Sequence, residues 1–163
     1  MSPFDLRITN EVKAIPVPLG FLKTKIKAML LKLGWKKAGL SLLLVSDSRI
    51  RKLNRHYLRH DRPTDVIAFS QLEGGKLKIG KGAPWIGDIV ISLPTTKRQA
   101  REFGNSFKYE LCFYICHGIL HIMGYRDKSK KEAAQMAGIQ KKILKQIGVK
   151  GAGDKDWRHG TRD

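Results

Sequence analysis

The stretch SFKYELCFYICHGILHIMG, residues 106–124, limits what this chain can fold into more than any other segment. It reads as one long apolar helix. Ser106 is a good N-cap, and Gly124 is a natural stop because glycine accepts the left-handed conformation. A helix this apolar has to be covered by other elements. Two histidines nevertheless interrupt it. His117 and His121 are four residues apart, so on an α-helix they lie one above the other and point the same way.

The flanking sequence supplies the cover. FDLRITN (4–10) alternates apolar and polar residues and predicts an edge strand. PLGFLKTKIKAMLLKLG (18–34) puts Leu22, Ile26, Met29, Leu30 and Leu33 on one helical face and lysines on the other. LSLLLVSD (40–47) is a nearly continuous apolar run, as in a buried strand. SDSRIRKLNRHYL (46–58) predicts a helix capped by Ser46 or Asp47. TDVIAFS (64–70) and WIGDIVISL (85–93) predict strands, and the Gly- and Lys-rich 71–84 between them a mobile loop or hairpin. PTTKRQAREFG (94–104) has proline near its start and glycine at its end, as a helix should. SKKEAAQMAGIQKKILKQIG (129–148) predicts a last amphipathic helix. The expectation is one α+β domain over 1–148, a mixed sheet of about four strands packed with about five helices. Residues 149–163 carry little apolar content and are expected to form a flexible basic tail.

Charge narrows the partner. Lys and Arg number 32 against 14 Asp and Glu, a net charge of +18. Such an excess costs self-repulsion and favours a polyanion, the commonest soluble one being nucleic acid. No apolar run is long enough to cross a membrane, so no membrane partner is expected. Asp5 and Arg7 stand where a secretion signal would be apolar, so a cytoplasmic location is expected. Cys112 and Cys116, one helical turn apart in the apolar segment, read as buried free thiols of a reducing compartment.

The histidine pair sits in HGILHIMGYRD, residues 117–127. Two imidazoles so placed can bind one metal ion without distorting the helix. Past the Gly124 stop the chain can fold back and bring Asp127 towards them. The spacing H-x-x-x-H-x-x-G-x-x-D matches the second half of the metzincin pattern, with aspartate in the place of the third ligand. A carboxylate is a competent zinc ligand, so a metzincin-like metal helix holding one divalent ion, Zn²⁺ first, through His117, His121 and Asp127 is expected. The same ligand set also suits Mn²⁺, Ni²⁺ or Fe²⁺. Glu110 lies near the same stripe and reads either as the acceptor that holds a ligand imidazole or as a first-turn charge complementing the helix dipole. Tyr114 reads as core. A zinc protease would carry its general base directly after the first histidine, and Gly118 stands there instead. Hydrolysis is expected, but of something other than peptide.

Beyond these residues the chain resembles the YbeY family, bacterial metal-dependent endoribonucleases. HGILHIMGYRD is similar to that family's H-G-x-L-H-L-x-G-Y-D-H signature; LNRHYLRHDRPTDVIAFS (53–70), IGDIVIS (86–92) and QAREFGNSFKYELCFYICHG (99–118) resemble further family segments in the same order. The resemblance implies a single-strand-specific endoribonuclease of rRNA processing (16S rRNA 3′-end maturation) and ribosome quality control. It further implies a partner in rRNA or the 30S subunit, catalytic Arg59, His117 and His121, and no small-molecule cofactor beyond the metal. Two departures stand out. Arg126 and Asp127 replace the family's Asp and His, and an aspartate ligand would make the ion less electrophilic. Leu58 occupies the place of a family arginine taken to bind phosphate; Arg59 is its expected substitute, with Arg62 or His60 as alternatives. Thr64 and Asp65 are placed beside the site, where the RNA passes, or else form a turn with Pro63. Asp88 either faces the cleft behind the ligands or ends a strand. The competing expectations are a non-catalytic rRNA-binding assembly factor with a structural metal and, less favoured, a zinc protease.

Overall fold

The computed structural model describes residues 2–58, 65–72 and 84–152. Among them the elements run β1 (Phe4–Asn10), α1 (Leu19–Lys32), β2 (Ala38–Val45), α2 (Asp47–Leu58), β3 (Val66–Ser70), β4 (Trp85–Ser92), α3 (Leu93–Phe103), α4 (Phe107–Ile122) and α5 (Lys130–Gln146). The strands form one mixed sheet in the order β1-β2-β4-β3. β1, β2 and β4 are parallel, and β3 runs antiparallel to β4 at the edge.

Side chains alternate across a strand, and that alternation divides the core in two. Leu40, Leu42 and Leu44 of β2 and Ile89 and Ile91 of β4 share a large cluster with Leu22, Ile26, Met29 and Leu30 of α1 and with most of α4. On the opposite side Val45, Ile67 and Val90 close a smaller cluster with Ile50 of α2. The apolar segment expected to need cover is wrapped by α1, α3, α5, β3 and β4. Trimming one of its buried isoleucines to alanine would cost about 2–5 kcal/mol.

Helix ends follow the predicted signals. Ser106 accepts from the Tyr109 N–H, and Ser129 forms a capping box with Glu132. Ser46, rather than Asp47, receives the first-turn N–H of α2, from Arg49. Asp47 instead accepts from Ser92, Thr95 and Arg98, tying the start of α2 to the start of α3.

Two glycines set how closely α4 lies on the sheet. A Cβ on Gly118 would stand 2.8 Å from Ile89 Cγ2. A Cβ on Gly87 of β4 would stand 2.5 Å from the Phe69 carbonyl and 2.7 Å from Ile122 Cδ1. Both distances are far inside van der Waals contact, so helix and strand meet over bare backbone.

The domain runs further than expected. Val149 is buried in the main core, and its N–H donates to the Leu144 carbonyl. Gly151 lies against the Tyr109 ring, and the Ala152 N–H donates to Asn105 Oδ1 at 2.7 Å. A single valine was too little apolar content to reveal this docking. The rest of the expected tail, 153–163, and the loop residues 73–83 lie outside the described residues.

Candidate metal centre

α4 presents His117 and His121 on a half-buried flank, with imidazole Nε2 atoms 3.0 Å apart. The helix stops in a Schellman turn: the Gly124 N–H reaches the His121 carbonyl, the Tyr125 N–H reaches the Leu120 carbonyl, and Gly124 takes φ 96°. That reversal brings Asp127 back. Its Oδ2 lies 3.2 Å from His121 Nε2 and 3.4 Å from His117 Nε2. Ligand atoms of all three residues fall within 4.8 Å of one another, close enough to hold one metal ion.

The outer nitrogens decide what the inner ones offer. His121 Nδ1 donates to the Tyr125 carbonyl at 3.1 Å, an acceptor that leaves no other tautomer. His117 Nδ1 meets Gln140 Oε1 at 3.1 Å, while the Gln140 amide nitrogen is committed to the Phe113 carbonyl at 3.0 Å. The Gln140 oxygen therefore accepts, and His117 carries its proton on Nδ1. Both Nε2 atoms are thus lone-pair donors aimed at one another and at a carboxylate. Three such groups could hold one cation, and orientation of the outer nitrogens by oxygen acceptors is the usual support for ligand histidines. Burial holds the His117 pKa below the ordinary imidazole value, and the neighbouring His121 lowers it further, against Gln140, Asp127 and Asp65. Its neutral, ligating form is favoured.

Two expected supporting carboxylates are elsewhere. Glu110 is wholly buried and accepts from Asn105 Nδ2 at 2.9 Å. The hydrogen bond to His117 belongs to Gln140, because α5 crosses α4 closer to the histidine than the first turn of α4 does. Asp88 accepts from Ser41 of β2. It shares the sheet face of Val90, while Gly87 and Ile89 face α4, so the alternation of β4 turns its carboxylate away from the histidines. Asp65 leads into β3 and lines the cleft beside His117 and Asp127. Arg59, Arg62 and Thr64, and with them His60, lie outside the described residues.

Gln140 escaped the sequence reading, although a signal existed. It lies on the buried face of α5 with Met136, Ile143 and Leu144, a polar residue in an apolar stripe. Buried polar groups are hydrogen-bonded, so such a residue marks a partner. Gln99 and Phe103 of α3, also unanticipated, line the same cleft. Away from it, Arg49, Lys52, Arg55, His56 and Tyr57 of α2 line an open basic groove, in which Tyr57 is exposed and its ring edge meets Phe69.

Comparison with known proteins gives a consistent outcome. The family model described as Endoribonuclease YbeY matches residues 7–148. A Bacillus mycoides protein named Endoribonuclease YbeY is 42% identical over 116 residues, covering 69% of this chain and 74% of the relative. The protein of the same name from Bacillus thuringiensis matches to the same extent. The solution structure of a Thermotoga maritima protein aligns with TM-score 0.58 and 28% identity over 88% of each chain.

Proposed function

This chain belongs to the YbeY family of endoribonucleases, and on that premise we propose that it cuts single-stranded RNA at a divalent cation held by His117, His121 and Asp127. The carrying observation is the orientation of both imidazoles by Tyr125 and Gln140, which leaves two neutral donors converging with a carboxylate. The donor set suits Zn²⁺, with three protein ligands and an open position. When bound, the ion supplies Lewis acidity at a phosphodiester. Its residues do the rest: His117 and His121 contribute no charge, Asp127 contributes one negative charge, and Gln140 keeps His117 from rotating. Arg59, with Arg62, Thr64 and Asp65, is assigned to the RNA strand.

The substrate follows from charge. A net +18 and the cationic groove on α2 favour an RNA of many phosphates, and we assign the activity to rRNA maturation on the small ribosomal subunit in the cytoplasm. No helix among the described residues is long and apolar enough to cross a membrane. A non-catalytic rRNA-binding role with a structural metal is not favoured, because the family matched over residues 7–148 is described as endoribonuclease. A protease is disfavoured on packing: position 118 points into Ile89 of the sheet, not at the triad.

The test is cleavage of single-stranded RNA by the wild type, by His117→Ala and by Asp127→Ala, with metal content measured on each. Metal-dependent cutting lost in both variants is expected. Cutting that survives exhaustive chelation would exclude the metal mechanism.

A further inference from the structure

A cleft of about 320 Å³, bounded by α3, α4, α5 and the start of β3, opens onto the triad, with His117 and Asp127 among its lining residues. Its volume is at the small end of ligand sites, about 300–1,000 Å³. Its lining is unlike the rest of the surface. The chain carries 32 basic residues, yet no lysine or arginine is among the described residues that line the cleft. The carboxylates there are Asp65 and Asp127; the walls are aromatic and apolar, with Phe103 and Tyr114 among them. Apart from an ion held by the triad, a phosphate entering would meet no cationic side chain among the described residues. A flat, uncharged group with N–H donors would meet ring faces and acceptors.

We infer that this cleft receives one nucleobase of the RNA strand, stacked on Phe103 and read at its hydrogen-bonding edge by Gln99 and Asp65. The inference rests on the RNA-cleavage reading above and names how that site selects its substrate. Phe103 ends α3 just before the left-handed Gly104 and remains 41% exposed, a large ring on the cleft wall. Gln99 lies one helical turn earlier on the same face and offers both a donor and an acceptor. Asp65, whose backbone carbonyl accepts from the Ser92 N–H at the start of α3, lines the same cleft with a carboxylate, the kind of acceptor acidic side chains offer the cytosine amine. Gln140 takes no part, since both ends of its amide are engaged. The base preferred is therefore one bearing an exocyclic amine, over uracil. Phosphates are left to the ion at the edge of the cleft and to the cationic groove on α2.

The test uses a uridine-rich oligoribonucleotide carrying a single 2-aminopurine, bound to full-length protein with His117→Ala to prevent cutting. Stacking in the cleft is expected to quench the probe. Phe103→Ala in that background should remove the quenching and weaken binding roughly 5- to 150-fold, the loss of one stacked base. Phe103→Tyr should restore both, which separates stacking from a folding defect. In the cutting enzyme, Asp65→Asn should level the preference for amine-bearing bases over uracil. Unchanged quenching and affinity in Phe103→Ala would overturn the inference while leaving the cleavage reading intact. Phe103-dependent quenching in a chain that cuts no RNA would support the cleft and sink the cleavage reading.

Discussion

At the scale of single residues the site depends on tautomers. Gln140 holds the proton of His117 on Nδ1 only because its own amide nitrogen is occupied by the Phe113 carbonyl. Gln140→Leu removes that orientation without emptying the core. It should weaken metal binding about 10- to 100-fold, the usual effect of losing a partner of a ligand histidine, measured by competition with a chromogenic chelator. Protonation is a second residue-scale consequence. Burial, with His121 adding to it, places the folded pKa of His117 below that of the unfolded chain, about 6.5. Below that value the unfolded state takes up a proton that the folded state resists. Metal-free protein therefore keeps its full stability above about pH 6.5 and loses part of it as pH falls through that value towards the lower folded pKa. Urea unfolding at pH 7.5 and 5.5 should reveal the loss, and His117→Gln should make it smaller. Equal pH dependence in the variant would show that other groups are responsible.

At the scale of elements, α4 carries three kinds of surface: a core face, a ligand flank and a glycine seat on β4. Gly118→Ala would push a methyl group into Ile89. Overpacking of this kind costs about 1–3 kcal/mol, and adding Ile89→Val should recover part of it, read as non-additivity in denaturant melts. The two cysteines lie on the core face. Burial pushes both thiols up to about 12, so a thiol reagent should leave folded protein unmodified and react once it is denatured. Rapid labelling of the native protein would contradict this packing. The element scale is also where the sequence was most legible. Apolar period, caps and stops located every described helix and strand to within about two residues, as such signals allow. The facing of Asp88 was not legible, because GDIVIS does not say which parity meets the helix until α4 is docked. The role of Gln140 was not legible as a partner, because His117 and Gln140 meet only when α5 crosses α4. The triad was legible because helix period and one turn bring its members together locally. The docking of Val149 and Gly151 depends on Tyr109 and Leu144, which only the assembled fold brings near.

At the scale of the whole molecule, excess charge should govern affinity. Single-stranded RNA binding is expected to weaken steeply with salt, its logarithm falling by about 0.7 per phosphate contacted. Charge reversal of Arg49 and Lys52 together should reduce that slope by more than one unit while leaving metal content unchanged; an unaltered slope would place the phosphates elsewhere. The Gln140 contact has a last consequence at this scale. It fastens α5, through one amide, to the residue that would grip the ion, while the turn after α4 would supply the third ligand. Occupancy and folding are thereby thermodynamically linked. An ion at 100 times its dissociation constant would add about 2.7 kcal/mol to global stability, so the melting temperature of this protein should serve as a gauge of the metal available to it.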